Sequence, residues 1–93
     1  MELVKNIFYP KRDPSPFQVR VQACVAGVYS VIVYNTAGEK TRTLRKSDFR
    51  LLGDDLVEWD GKNENGEDAA SGVYILVLTE ADRVSYGKFL VIH

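Results

Sequence analysis

Between Trp59 and Leu78 the chain reads WDGKNENGEDAASGVYILVL. A polar stretch this dense in Gly, Asn and Asp can be held only by turns, and it lies between two strand-like runs. Trp59 closes the first run. Gly61, Asn63, Asn65 and Gly66 tolerate positive φ, and Gly72 opens the second run, Val73-Tyr74-Ile75-Leu76-Val77-Leu78. No apolar pattern at helical spacing persists beyond two turns anywhere in the chain.

Short β-rich runs separated by turn residues recur instead, near Lys5–Tyr9, Phe17–Cys24, Val28–Tyr34, Lys40–Arg45, Asp55–Trp59, Gly72–Thr79 and Val84–Ile92. Seven strands at this spacing predict an all-β fold, a seven-stranded antiparallel β-sandwich of immunoglobulin or fibronectin-III type. From Phe17 to Ala23 apolar and polar residues alternate, so one face meets a core and the other meets water. Val28 to Tyr34 and Val73 to Leu78 are apolar on both faces. Such strands are either covered on the second face or present it to another domain. The expected core comprises Trp59, Val33, Val73, Ile75, Val77, Phe89 and Val91. Pro10, Pro14 and Pro16 predict an irregular connection, because proline cannot donate to a ladder. Asn35-Thr36-Ala37-Gly38 reads as a hairpin loop and Ala81-Asp82-Arg83 as the tip of the last hairpin.

Residues 1–93 make one domain, of a size that supports a single core. The longest apolar run has six residues, from Val73 to Leu78, which is too short to cross a bilayer. No membrane insertion is therefore expected. No secretory leader is visible, so an exported product needs its signal upstream of this segment. The net charge of −1 hides an asymmetry. Lys40, Arg42, Arg45, Lys46 and Arg50 crowd one segment; Asp54, Asp55, Glu58, Asp60, Glu64, Glu67 and Asp68 crowd the next. No aromatic ladder interleaves the basic residues, so nucleic acid is not an expected partner, and the two segments are expected to offset one another. Cys24 stands alone, which rules out an internal disulfide and suits a small buried hydrophobe.

The loop after Trp59 is the best place to look for chemistry. Its oxygens suit a hard cation such as calcium, with Asp60, Asn63, Asn65 and Asp68 as candidate ligands. EF-hand spacing fails, because it would put the first ligand at Gly61 and the closing glutamate at Gly72. The competing reading is that the Asx side chains bond their own turn backbone. Trp59 could stack on a sugar, but the apolar Leu56 and Val57 beside it favour a core position. His93, the only histidine, is terminal, and no Ser lies in a nucleophile-elbow turn. Neither an enzyme activity nor a cofactor is expected.

Several elements recur in family-like order: Asn6-Ile7-Phe8-Tyr9-Pro10, Val33 through Glu39 with Thr43-Leu44, the loop residues Trp59, Asp60, Gly61, Asn63 and Gly66, Ser71 to Tyr74, and Lys88 to Ile92. Together they resemble the FlgD-type immunoglobulin-like modules at the C-terminal ends of large bacterial secreted and surface proteins. They also resemble the related C-terminal sorting domains of the type IX secretion system. The resemblance implies that Trp59, Gly61, Gly66, Gly72 and Tyr74 are structural motif residues. It implies a non-catalytic accessory module, extracellular or at the cell surface, that packs against neighbouring domains of a parent chain or other surface proteins. A secretion-sorting signal and a glycan- or calcium-binding module are the alternatives.

Overall fold

The computed structural model describes residues 2–23, 27–50, 53–80 and 83–93. Cys24 and the hairpin-tip residues Ala81 and Asp82 lie outside the described residues. The strands are β1 (Glu2–Leu3), β2 (Ile7–Phe8), β3 (Phe17–Ala23), β4 (Gly27–Asn35), β5 (Lys40–Arg50), β6 (Gly53–Trp59), β7 (Gly72–Glu80) and β8 (Val84–Val91). They form a β-sandwich of a three-stranded sheet, β1-β3-β6, and a five-stranded sheet, β2-β8-β7-β4-β5.

Two features differ from the expected architecture. The single N-terminal strand at Lys5–Tyr9 is replaced by two short ones in different sheets. Glu2 and Leu3 pair with Arg20 and Val19, whereas Ile7 and Phe8 pair with Leu90 and Val91. Crossing between the sheets lets one segment supply an edge to each, as strands do at sandwich corners. The sandwich is also not purely antiparallel, because β2 runs parallel to β8. The proline segment is irregular, as expected. Tyr9 accepts hydrogen bonds from the backbones of Arg12 and Asp13, and the Asp13 carboxylate accepts one from the Tyr9 N–H at 3.0 Å.

The alternation in β3 buries Phe17, Val19 and Val21, with Phe17 opposite Trp59 and Val19 opposite Val57 on β6. The facing sheet contributes Phe8, Tyr29, Val31, Val33, Tyr74, Leu76, Leu78, Phe89 and Val91. Trp59 is 1% exposed and lies in an aromatic cluster. Its ring is 5.7 Å from Phe89, edge-on, 5.8 Å from Tyr74 and 6.2 Å from Phe8, while Phe17 stacks on Phe89 at 4.2 Å. These are favourable separations for aromatic pairs.

The phase of β7 corrects the sequence reading. Val73, Ile75 and Val77 were expected in the core, but Tyr74, Leu76 and Leu78 are buried there instead. A continuous apolar run carries no alternation to set its phase. Here Tyr74 sets it by meeting Trp59 and by lying opposite Phe89, which turns the β-branched row outward.

Leu76→Ala is expected to cost about 2–5 kcal/mol in urea denaturation, against less than about 1 kcal/mol for Val73→Ala. Equal losses would mean that the assigned phase is wrong. Trp59→Ala is expected to cost about 3–5 kcal/mol, a large share of the stability of a domain this small.

Candidate interaction surface

Two turns are built from the same five-residue pattern, Asn-x-x-Gly-Glu. In Asn35 to Glu39, the Asn35 Oδ1 accepts from the N–H groups of Ala37 (3.0 Å) and Glu39 (2.9 Å), and Gly38 N–H donates to the Asn35 carbonyl at 3.1 Å. In Asn63 to Glu67, the Asn63 Oδ1 accepts from Asn65 (2.9 Å) and Glu67 (3.0 Å), and Gly66 N–H donates to the Asn63 carbonyl at 3.0 Å. Gly38 and Gly66 sit at φ of 82° and 80°. A short amide side chain that bonds two residues and four residues ahead replaces regular backbone pairing, and the left-handed residue needs no Cβ. The repeated pattern is present in the sequence, but reading the first as a hairpin and the second as a cation loop concealed it.

The second turn is anchored by Trp59, whose buried Nε1–H donates to the Lys62 carbonyl at 2.9 Å. Gly61 has φ 85°, and a Cβ there would lie 3.0 Å from Pro10 Cγ and 3.2 Å from Phe8 Cε2. Gly72 has φ 156° with open space around it. The Tyr74 hydroxyl donates to the Ala70 carbonyl at 2.7 Å, and burial raises its pKa. The terminal His93 is held: its backbone N–H donates to Ser71 Oγ at 3.0 Å, and its ring meets the Ala69 carbonyl.

Three of the four candidate cation ligands, Asp60, Asn63 and Asp68, are engaged by donors of the chain itself. Asp60 Oδ1 accepts from the Lys62 N–H at 2.9 Å and lies 3.6 Å from Arg42. Asp68 pairs with Lys62 at 3.3 Å and Lys11 at 3.6 Å. Asn63 is spent on its turn, and the Asn65 side chain is exposed. Among the described residues, no group of three His, Cys, Asp or Glu side chains gathers to hold a metal ion. The basic segment on β5 and the acidic segment on β6 and the loop after it face one another. Arg42 meets Asp60, and Arg45 lies 3.7 Å from Asp55, which also accepts from the Tyr29 hydroxyl. Burial and that Asp55 contact push the Tyr29 pKa upward.

The centre of the outward face of the five-stranded sheet is apolar, with Lys88, Thr43 and Lys40 at its margins. Across the strands Ile7 lies opposite Leu90, Leu90 opposite Val73, Ile32 opposite Val77 and Tyr34 opposite Ile75. Val77 in turn lies opposite Tyr86. Both strands that read as apolar on two faces therefore share one outward surface, on which Ile7 and Val73 are exposed and Ile32, Tyr34, Ile75, Val77 and Leu90 half-buried. A shallow groove of about 270 Å³ opens on it, lined by Asn6, Ile7, Val73, Lys88 and Leu90. A contiguous apolar patch of this kind marks an interaction surface more often than an inert one. Trp59 is too buried to stack on a sugar.

Two measurements test the turn pole. Asn63→Ala is expected to cost about 1–2 kcal/mol, since two backbone donors lose their acceptor, against under about 0.5 kcal/mol for Asn65→Ala. Similar losses in a denaturant series would refute the assigned bonding. The hydrogen bond and charge of Lys62 hold the Asp68 pKa below 3.8, with Lys11 adding to the effect. A depressed folded pKa favours the folded chain above the unfolded value, and that contribution disappears as pH falls through the folded pKa. Carboxyl NMR titration should find Asp68 titrating below 3.8 and moving back toward it in Lys62→Met.

No family model and no curated protein matches the chain. Among solved structures, the chain is similar to part of PorZ, an essential bacterial surface component of the type-IX secretion system of the human oral bacterium Porphyromonas gingivalis. The identity is 20% and the TM-score 0.66. The match covers 98% of this chain and 11% of PorZ, so the chain spans about a tenth of the length of that protein. At this identity the likeness shows a shared β-sandwich fold.

Proposed function

We propose that this chain is a non-catalytic accessory module of a larger bacterial secreted or cell-surface protein, mediating domain packing or assembly. The observation that carries this reading is the outward apolar face formed by the exposed Ile7 and Val73 and the half-buried Ile32, Tyr34, Ile75, Val77 and Leu90. A module packed beside another domain can bury such a face. Exposed on a free domain, it is an aggregation liability. The structural likeness supports the same reading, because the matched region is a small part of a long surface protein.

A secretion-sorting signal is the second reading, favoured by the likeness to a component of the type-IX system. Deleting the last strand cannot test it cleanly. Phe89 and Val91 are core residues, so a truncated chain loses its fold along with any signal. Substitutions on the outward side of β8, Lys88→Glu and Leu90→Thr, separate the two effects.

Fractionated source cells, blotted with antibody to this domain, test the leading reading. A product well above 10.5 kDa in the envelope or medium is expected. A 10.5 kDa product in the cytoplasm would overturn it. Export of a reporter fusion that survives Lys88→Glu with Leu90→Thr favours the accessory role, whereas loss of export with an unchanged melting temperature favours sorting.

A further inference from the structure

The two lateral edges of the five-stranded sheet are finished differently. At β5 the loop closes the edge: Glu64 donates its N–H to the Thr41 carbonyl at 3.1 Å and accepts the Thr43 N–H on its carboxylate. The pairing of β5 with β4 is broken by register shifts, and Lys40, Arg42, Arg45 and Lys46 line the strand. Bulges, charges and a covering loop are the means by which edges resist further pairing.

The edge at β8 has neither a bulge nor a covering loop over most of its length, and Lys88 is the one charge on the stretch from Val84 to Lys88. β2 covers only Leu90 and Val91, and upstream of it the chain has crossed to the other sheet. Leu90 and Ile92 donate their N–H groups toward the β2 side, to the Asn6 and Phe8 carbonyls at 2.9 and 3.0 Å. Strand alternation then turns the backbone groups of Val84, Tyr86 and Lys88 the same way. Among the described residues nothing pairs with them on that side. This stretch offers outward-facing N–H and carbonyl groups along roughly 15 Å, at ~3.3 Å per residue. Its pairing with β7 runs without a register shift, and it contains no proline.

We propose that Val84 to Lys88 of β8 is a strand-addition site for a short extended segment of a partner protein, apolar in alternation and carrying one carboxylate. Main-chain hydrogen bonds to a bare edge supply affinity in such recognition, and side-chain rests on the sheet face supply specificity. Val84 and Tyr86, 48% and 71% exposed, provide the apolar rests beside the edge. Lys88 makes no ion pair with any described carboxylate, and it borders the groove formed with Asn6, Ile7 and Val73. The segment therefore carries its acidic residue at the Lys88 end, and Asn6 limits the added strand to about five residues. A second copy of the chain fits less well. Two-fold pairing of β8 with β8 centred on Tyr86 places Val84 opposite Lys88, so a second copy in that register supplies no acid there. The proposal deepens the assembly reading and rests on it.

The test is an NMR titration of the whole chain with the acetylated, amidated peptide Val-Thr-Val-Thr-Glu. The amides of Val84, Tyr86 and Lys88 are expected to shift and to exchange more slowly, while Ser85 and Gly87, already bonded to β7, keep their exchange rates. Tyr86→Pro removes an outward N–H without touching the β7 ladder and is expected to abolish binding, whereas Tyr86→Thr, which keeps the N–H and loses only the apolar rest, is expected to weaken it without abolishing it. Lys88→Glu is expected to weaken binding roughly two- to fivefold, the scale of an exposed ion pair. Slowed exchange in the unaltered chain stands as evidence even if Tyr86→Pro fails to fold. Unperturbed edge amides at millimolar peptide, shifts confined to the outward side chains of β4 and β7, or a dimer closed through β8 in sedimentation would each overturn the proposal. A stand-alone cytoplasmic product would defeat the accessory-module reading and leave this titration unchanged, so the two failures are distinguishable.

Discussion

The buried indole of Trp59 links parts of the structure that would otherwise be independent. Its ring packs against Phe8, Tyr74 and Phe89, residues of three different strands of the facing sheet. An indole N–H buried without an acceptor costs about 1–3 kcal/mol, so the chain after Trp59 must bring a carbonyl back to it. Lys62 supplies that carbonyl. The requirement fixes the path of the loop, and the loop places Gly61 against Pro10 and Phe8, Asp60 beside Arg42, and Glu64 on β5. The core, the turn pole and the closed edge are thus consequences of one aromatic placement.

The same constraint explains how the oxygens of the charged loop are engaged. Asp60 and Asp68 are drawn to Arg42, Lys62 and Lys11, and Asn63 is consumed by its own turn. Such exposed ion pairs contribute little individually, typically about 0–1 kcal/mol each. Their effect is instead to hold a polar loop over the end of the sandwich. The outward sheet face has no comparable cover, and the edge at β8 has no counterpart of Glu64. The molecule is closed on one flank and open on the other, and both of its proposed contact surfaces lie on the open side.

Much of the framework was legible from local pattern. The alternation of β3 named its buried residues correctly, because a period of two leaves only one apolar face to bury. Trp59 was placed in the core from its apolar neighbours, and the turn glycines from their polar surroundings. The pattern was silent where chemistry did not alternate. From Val73 to Leu78 every residue is apolar, so either phase satisfied the sequence, and contact between Tyr74 and Trp59 selected the one observed. The parallel pairing of β2 was equally invisible, since two residues carry no period. The cation reading of the loop rested on oxygen content, which does not distinguish a ligand from a turn cap.

The sequence by itself therefore determined the strand content, the positions of the turns and one face of each alternating strand. These follow from backbone preferences and from periodicity within a few neighbouring residues. Tertiary structure alone decided which row of β7 faces water, how the first strand divides between the sheets, which carboxylates meet which cations, and which edge remains open. Each of these depends on groups far apart in the chain being brought to packing distance, and local pattern carries no information about that.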